Sequence, residues 1–324
     1  MRRKFIAGIA VAITAGLAAC GGGNSGGGSP TTGGATTNCP SGTGTSGNGA
    51  TVSIGSKSFA EEQLMAQMTK DVLEAHHFTV DYTFQAADKA IGTALTSGTI
   101  DMYWQYTGTE LTDYLGLQTG SFPTALGAAF TFVQKADEPH DLCWVAPTQF
   151  DDTNGIAIKQ SQTGTFGSSL SAFGTYLGSH PNTKVCIQSE FLTRADGLPG
   201  LVSTYGWPSA SSFKYQQIGT TAEKAIASGQ CDAGEVYTTD SGIQANNEVT
   251  LTDDKNLFPP DNAGLLVRSD VLKKYPAIAN LMTPVAAKLT TDVMLQLNAM
   301  VEIQNQTVAD VAHAWLVQNG FLTS

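Results

Sequence analysis

From Thr51 onward the apolar positions follow two periods. "TVSIG" alternates apolar and polar residues and predicts a strand. Behind it Leu64, Met68 and Val72 recur at helical spacing, with Gly55 to Phe59 as the turn between. "TVDYTF" predicts a second strand, "ADKAIGTALTSG" a helix ending in glycine, and "IDMYW" a third strand. A β-α-β-α-β order predicts a parallel sheet with covering helices. The pattern then restarts. "TKVCIQS", "FKYQQI" and "CDAGEVY" predict strands, and "GLPGLVSTYG" and "AEKAIASG" the helices between them. After "FPPDNAGLLVR" the chain ends in helical segments such as "TDVMLQLNAMVEIQ" and "TVADVAHAWLVQNG". The reading is an α/β chain of two lobes with a helical tail.

The two halves share a motif. "SGTIDMYWQYT" begins at Ser97 and "SGQCDAGEVYT" at Ser228, and both fit S-G-x-x-D-x-x-x-x-Y-T. Tyr106 and Tyr237 fall at the same place, each just past the carboxyl end of a strand. Ligands of open parallel sheets bind there. Facing lobes would present two tyrosines across one cleft. The plainer alternative is that both tyrosines pack at strand ends.

The N-terminus is of another kind. "MRRK" is a positive n-region, "FIAGIAVAITAG" a short apolar h-region, and "LAAC" ends at Cys20. This is a secretory signal over residues 1–19, and the cysteine makes it resemble a lipobox, whose Cys20 becomes the lipidated first residue. Residues 20–50 are Gly, Ser and Thr with almost no apolar side chains. They cannot bury enough surface to offset chain entropy, and read as a tether with a reach of roughly 30 Å. Their glycines form no phosphate loop, since no Lys-Ser/Thr follows.

Net charge is -11, and losing Arg2, Arg3 and Lys4 with the signal makes the remainder more acidic. A basic patch for nucleic acid is absent. Of five cysteines, Cys39, Cys143, Cys186 and Cys231 remain beside Cys20. An even number in an exported chain suggests two disulfides. Three pairings exist. Cys186 and Cys231 lie on strands that could be neighbours, which favours Cys186–Cys231 and leaves Cys39–Cys143 to pin the tether. No C-x-x-C is present and no histidine stands at ligand spacing, so no metal or cofactor is expected. An exported hydrolase would need a nucleophile motif, and G-x-S-x-G, H-E-x-x-H and a supported S-x-x-K are all missing. A lipoprotein scaffold would not need paired tyrosines. The expectation is a binder and not an enzyme.

The blocks "IGSKSFAEEQL", "GTIDMYWQYTGTEL", "SEFLTRADGLPGL", "DAGEVYTTDSGI" and "LFPPDNAGLLVR" resemble the substrate-binding proteins of osmoprotectant ABC importers. That family carries glycine betaine, choline, carnitine and related quaternary ammonium compounds. The resemblance implies a type II periplasmic-binding-protein fold. Lobe I would be 51–150 with 262–324, and lobe II 151–261, with crossovers near Asp151–Thr153 and Pro259–Asp261. It implies a monomeric, extracytoplasmic lipoprotein that hands a small molecule to an ABC permease with its ATPase.

Quaternary ammonium ions have no N–H and are held by aromatic faces. The family's cage positions match Tyr106 and Tyr237. Thr109 matches a carboxylate-binding position, and Glu62 or Gln63 falls near another. Two family tyrosines are replaced, by Gly155 in "DTNGIAI" and by Asp261 in "LFPPDNA". Tyr103, Trp104 or Trp144 are candidates to complete the cage, Tyr103 and Trp104 alternating on one strand. Lys57 either binds a carboxylate or lies on the surface. Asn154 and Asn262 sit near the crossovers, where hinge and ligand roles overlap. Arg194 and Asp196 read as an ion pair. An incomplete cage leaves a second reading of the same fold, with a phenolic or other cationic cargo.

Overall fold

The computed structural model of the chain describes residues 39–117, 120–189, 191–217 and 221–323. The secretory signal, Cys20 and the tether as far as residue 38 lie outside the described residues. Among the described residues, no helix is long and apolar enough to cross a membrane.

The chain opens with β1 (Thr51–Ser56), α1 (Ala60–Ala75), β2 (Thr79–Gln85), α2 (Asp88–Thr96) and β3 (Met102–Tyr106). A helical turn, α3 (Thr107–Thr109), runs into a π-helical turn at Glu110–Tyr114. Then come α4 (Leu126–Asp137) and β4 (Leu142–Val145). A second set follows: β5 (Asn154–Lys159), α5 (Thr163–Phe166), α6 (Leu170–Ser179), β6 (Val185–Ile187), α7 (Leu198–Tyr205) and β7 (Gln216–Gln217). It closes with α8 (Ala222–Ala227), β8 (Ala233–Tyr237), α9 (Ser241–Ala245) and β9 (Glu248–Thr250). The chain returns as β10 (Ala263–Arg268) and ends in α10 (Ser269–Lys274), α11 (Ala277–Ala286), α12 (Thr291–Glu302) and α13 (Val308–Gln318).

These strands form two five-stranded sheets, β2-β1-β3-β10-β4 and β7-β6-β8-β5-β9. The expected parallel pairs are present, β1 with β2 and β3, and β6 with β7 and β8. The sheets are nevertheless mixed. β10 is antiparallel to β3 and β4, and β5 is antiparallel to β8 and β9. A helical crossover within one sheet makes its two strands parallel. β5 and β10 arrive instead from the other sheet, so no such crossover sets their direction.

Both connections run side by side. The Asp152 amide donates to the Asp261 carbonyl at 3.0 Å, and the Asp261 amide to Asp151 Oδ1 at 2.7 Å. Thr153 Oγ1 adds a bond to the Pro259 carbonyl at 2.6 Å.

The repeated motif does the same local work in both sheets. Gly98 and Gly229 each take φ of +76°, a left-handed value that glycine adopts without steric cost. The aspartate three residues on then ties the strand to its parallel neighbour. Asp101 Oδ2 accepts from the Ser53 amide at 2.8 Å, and Asp232 Oδ2 from the Lys184 amide at 2.8 Å. The glycine turns the chain out of the helix and the aspartate sets the register of the strand that ends in tyrosine.

Apolar clusters cover both faces of the first sheet. Trp104 and Tyr106 belong to one with α1, α11 and α13, and Tyr103 and Trp144 to the other with α2 and α4. The expectation that Tyr103 or Trp104 would face the cleft is therefore corrected. Both are fully buried, as strands sandwiched between helices are.

The expected disulfides are present, Cys39 with Cys143 and Cys186 with Cys231, at Cα–Cα distances of 5.3 and 5.9 Å. The first pins Cys39 to β4, as that pairing predicted. Residues 39–50 do not hang free but form a strap on the body. Asn280 Nδ2 donates to the carbonyls of Gly42 and Gly44, and the amides of Gly47 and Gly49 donate to the carbonyls of His76 and His77.

Candidate functional site

A cleft of about 480 Å³ opens where the two sheets approach each other. Tyr106 from the end of β3 and Tyr237 from the end of β8 both line it. Phe59, at the start of α1, is a third aromatic wall, its ring centroid 6.1 Å from that of Tyr106.

The lining is acidic. Glu61, Asp88, Asp113, Asp152, Asp240, Asp261 and Glu302 face Lys57 and Arg194. Both cations are already engaged. Lys57 Nζ lies 3.0 Å from Asp88 Oδ1, donates to Gln105 Oε1 at 2.9 Å, and stands 4.7 Å above the centre of the Tyr106 ring. That ring face thus already holds a cation, in the arrangement an onium group would take. Arg194 grips Asp196 through Nε at 3.0 Å and Nη2 at 2.8 Å. It is an internal pair, as the sequence suggested, and it also faces the cleft.

A polar network joins the two sides. The Tyr106 hydroxyl donates to Glu61 Oε1 at 2.6 Å. Asn298 Nδ2, from α12, donates to Glu61 Oε2 at 2.9 Å and to the Thr239 carbonyl at 3.1 Å. Thr239 Oγ1 in turn donates to Asp152 Oδ1. Farther along α12, Glu302 Oε2 accepts from Ser241 Oγ at 2.8 Å. Asn298 is buried, and its Oδ1 has no hydrogen-bond partner among the described residues. It is an acceptor on the cleft wall without a donor.

Burial dominates the titration of these acids. It raises Glu61 above the ordinary carboxylate range, against the pull of the Tyr106 and Asn298 donors. It pushes Asp152 well up, with neighbouring Glu61 adding to the shift. Asp240 and Asp261 are each pushed up to about 7, by burial first and then by Glu223 and Asp151 respectively. Crowded, desolvated carboxylates favour a cation between them.

Of the residues named from sequence, the cleft gathers Tyr106, Tyr237, Thr109, Lys57 and Asp261. Tyr103, Glu62, Gln63, Asn154 and Asn262 do not line it. Glu62 is fully buried near Lys57, and Glu61, one position earlier, faces the cleft instead. Adjacent helical residues point about 100° apart, so a one-residue ambiguity chooses the wrong side. Asn262 Oδ1 accepts from Thr107 Oγ1 at 3.1 Å and holds the start of α3. Asp261 does similar work, accepting from the amides of Gly108 at 2.5 Å and Thr109 at 3.2 Å.

A side chain at position 155 would lie on the sheet face opposite that of Tyr237. In the β5–β8 register Asn154 opposes Tyr237 and Gly155 opposes Val236. Alternate residues point to opposite faces, and a Cβ on Gly155 would meet Thr238 and Thr250. Sequence reading also missed Phe59, Asp152, Thr239, Asn298 and Glu302. Asn298 and Glu302 come from the helical tail, and nothing in their local sequence marks them as cleft residues.

Known proteins agree with this architecture. The family described as the substrate binding domain of ABC-type glycine betaine transport system matches residues 50–318. The glycine-betaine-binding protein of Pseudomonas aeruginosa is 29% identical over 279 residues, covering 84% of this chain and 89% of that protein. The glycine betaine-binding protein YehZ of Escherichia coli is 29% identical over 278 residues, covering 83% and 91%. The solved structure of apo YehZ superposes with a TM-score of 0.71 at 28% identity, over 84% of this chain and 99% of that one. A glycine betaine/carnitine/choline ABC transporter structure shares the fold, with a TM-score of 0.75 at 21% identity, over 83% and 99%. The chain therefore belongs to the family of substrate-binding domains of ABC-type glycine betaine transport systems.

Proposed function

We propose that the chain captures a small quaternary ammonium solute between Tyr106 and Tyr237 and delivers it to its ABC permease without chemical change. The observation that carries this reading is the position of the two repeated tyrosines, one from each sheet, on a single acidic cleft. Tyr237 offers a ring face to a cation, Tyr106 the face that Lys57 now covers, and the surrounding carboxylates supply the long-range attraction. Lobe I comprises 51–150 and 262–324, lobe II 151–261, and they close by bending at the paired crossovers. Cargo stabilises the closed form because only there do both lobes touch it. Cys20 carries a lipid that holds the monomeric protein outside the cytoplasmic membrane, with the ATPase on the other side driving release.

The charge balance supports a second reading of the cargo. A betaine brings a carboxylate as well as a cation, yet Lys57 and Arg194 are already paired with Asp88 and Asp196. A purely cationic solute of the choline type, or a non-osmolyte cation, suits that lining better than a zwitterion. Thermal melting with glycine betaine, proline betaine, choline, carnitine, ectoine and several phenols separates these readings, since bound ligand raises the midpoint by mass action. A shift with choline and none with betaine selects the cation. A shift only with a phenol overturns the quaternary ammonium reading, and no shift with any compound overturns both.

A further inference from the structure

A second cavity, of about 470 Å³, lies at the edge strand β9 of the second sheet beside the crossovers. Thr238 and Thr250 line it, the two residues that a Cβ on Gly155 would meet at 3.4 and 3.5 Å. Helix α12 borders both cavities, Asn298 and Glu302 at the cleft and Asp292 and Leu295 here. The lining contains carboxylates and no basic residue. Glu248 stands on β9, Asp292 on α12 and Asp151 at the crossover, with Ile243, Val249 and Leu295 as apolar surface.

Glu248 is the unusual group. It is 6% exposed, and both its carboxylate oxygens are buried without a hydrogen-bond partner among the described residues. Its register partner across the β5–β9 ladder is Lys159, but that ammonium donates to the Ala227 carbonyl at 3.3 Å. The other nearby charge, Glu223, is of like sign. Burial raises the Glu248 carboxyl to about 8, with Glu223 adding to the rise. Lys159 pulls the other way without bonding to it, and a buried carboxylate that accepts no hydrogen bond is costly, so a bound ammonium would supply the missing donor.

The placement of the acids on separate elements narrows the class. Among the described residues no three His, Cys, Asp or Glu side chains gather as they do around a metal ion. The carboxylates are spread over different elements with aliphatic side chains among them. That pattern matches an extended organic cation, with an ammonium at each end and methylenes between.

We propose that this cavity is a second binding site, which takes an aliphatic diammonium ion, with Glu248 holding one ammonium and Asp292 the other. The glycine at position 155 keeps the site open, because a larger side chain there would grow from between Thr238 and Thr250 into the space. Glu248 belongs to the second sheet and Asp292 to the helical tail packed on the first, so the ligand bridges them outside the cargo cleft.

The test is a melting and calorimetric titration of the full chain with putrescine, with n-butylamine as the single-ammonium control. Putrescine is expected to raise the melting midpoint, and butylamine to raise it less. Glu248→Gln keeps the shape and removes the charge, and Gly155→Val fills the space from a strand position where a Cβ makes ordinary contacts. Both variants fold, with Glu248→Gln at least as stable as wild type. Glu248→Gln weakens putrescine about 10- to 100-fold, the loss of a charged hydrogen bond, and Gly155→Val weakens it by filling the space, while Glu61→Gln in the cargo cleft leaves putrescine binding intact. The proposal is overturned if putrescine causes no shift, if butylamine matches it, or if Glu61→Gln abolishes the response and Glu248→Gln does not. The response of Glu248→Gln to glycine betaine and choline stays at the wild-type level, so failure here is separate from failure of the cargo reading.

Discussion

The Tyr106 hydroxyl donates to Glu61 Oε1 across 2.6 Å, joining the end of β3 to the first turn of α1 on the wall of the cleft. Tyr106→Phe keeps the ring and removes the donor, leaving a buried carboxyl short of one partner. Such a loss costs about 1–3 kcal/mol. Equilibrium urea unfolding should show that decrease, and an unchanged midpoint would mean the bond adds nothing in solution.

Tyr237→Ala acts on cargo and not on the fold, since Tyr237 is only half-buried. A cation–π contact contributes about 0.5–2 kcal/mol, so affinity for the quaternary ammonium cargo should fall roughly 2- to 30-fold. Calorimetric titration checks this. Equal affinity in the variant would remove Tyr237 from the site.

Stability should depend on pH in a stated direction. Asp240 and Asp261 are raised to about 7, and Glu62, Glu110 and Glu248 to about 8, in every case by burial first. These carboxyls keep their protons to a higher pH when folded than when unfolded. Between the ordinary carboxylate range and those values the folded state binds more protons. Stability is therefore greatest below that window and falls as pH rises through it. Calorimetry of the cargo-free protein from mildly acidic to mildly alkaline pH tests the slope, and a midpoint rising with pH contradicts it.

Asp261→Ala removes the acceptor for the Gly108 and Thr109 amides. Loss of a capping acceptor costs about 0.5–2 kcal/mol. Thr109 also loosens on the cleft wall, so cargo affinity falls together with the melting midpoint. Asp261→Asn, which retains an acceptor oxygen, should recover most of the stability.

The Cys39–Cys143 bridge closes 104 residues of sequence and Cys186–Cys231 closes 45. The chain-entropy relation assigns loops of these lengths about 4–5 kcal/mol each. The Cys39→Ala, Cys143→Ala double variant should lose stability on that scale and expose residues 40–50 to proteolysis. Resistance of that stretch in the variant would show that Asn280 and the His76–His77 carbonyls hold the strap alone.

Much of this was legible because it was local. The S-G-x-x-D-x-x-x-x-Y-T repeat carries its own turn glycine, register aspartate and strand end, so Tyr106 and Tyr237 could be found without coordinates. Strand alternation misled at Tyr103 and Trp104, because both faces of that sheet are covered and neither residue meets solvent. The antiparallel entry of β5 and β10 was hidden because strand direction is set by where a connection starts and not by the strand's composition. Asn298 and Glu302 were hidden for a related reason. Their helix packs against α1 and α9, and only that long-range contact makes them part of the cleft.

The strap has a mechanical consequence. Cys39 is covalently joined to Cys143 on β4, the edge strand of the first sheet. A pull applied to the chain before Cys39 therefore enters the body through the sulfur bridge and is borne by that edge. Residues 40–50 run in parallel with this load path, held to the body at Gly42, Gly44, Gly47 and Gly49, so the bridge shields β1, an inner strand. Tension on the chain ahead of Cys39 is thereby diverted from the strand that leads to Lys57, Phe59 and Glu61.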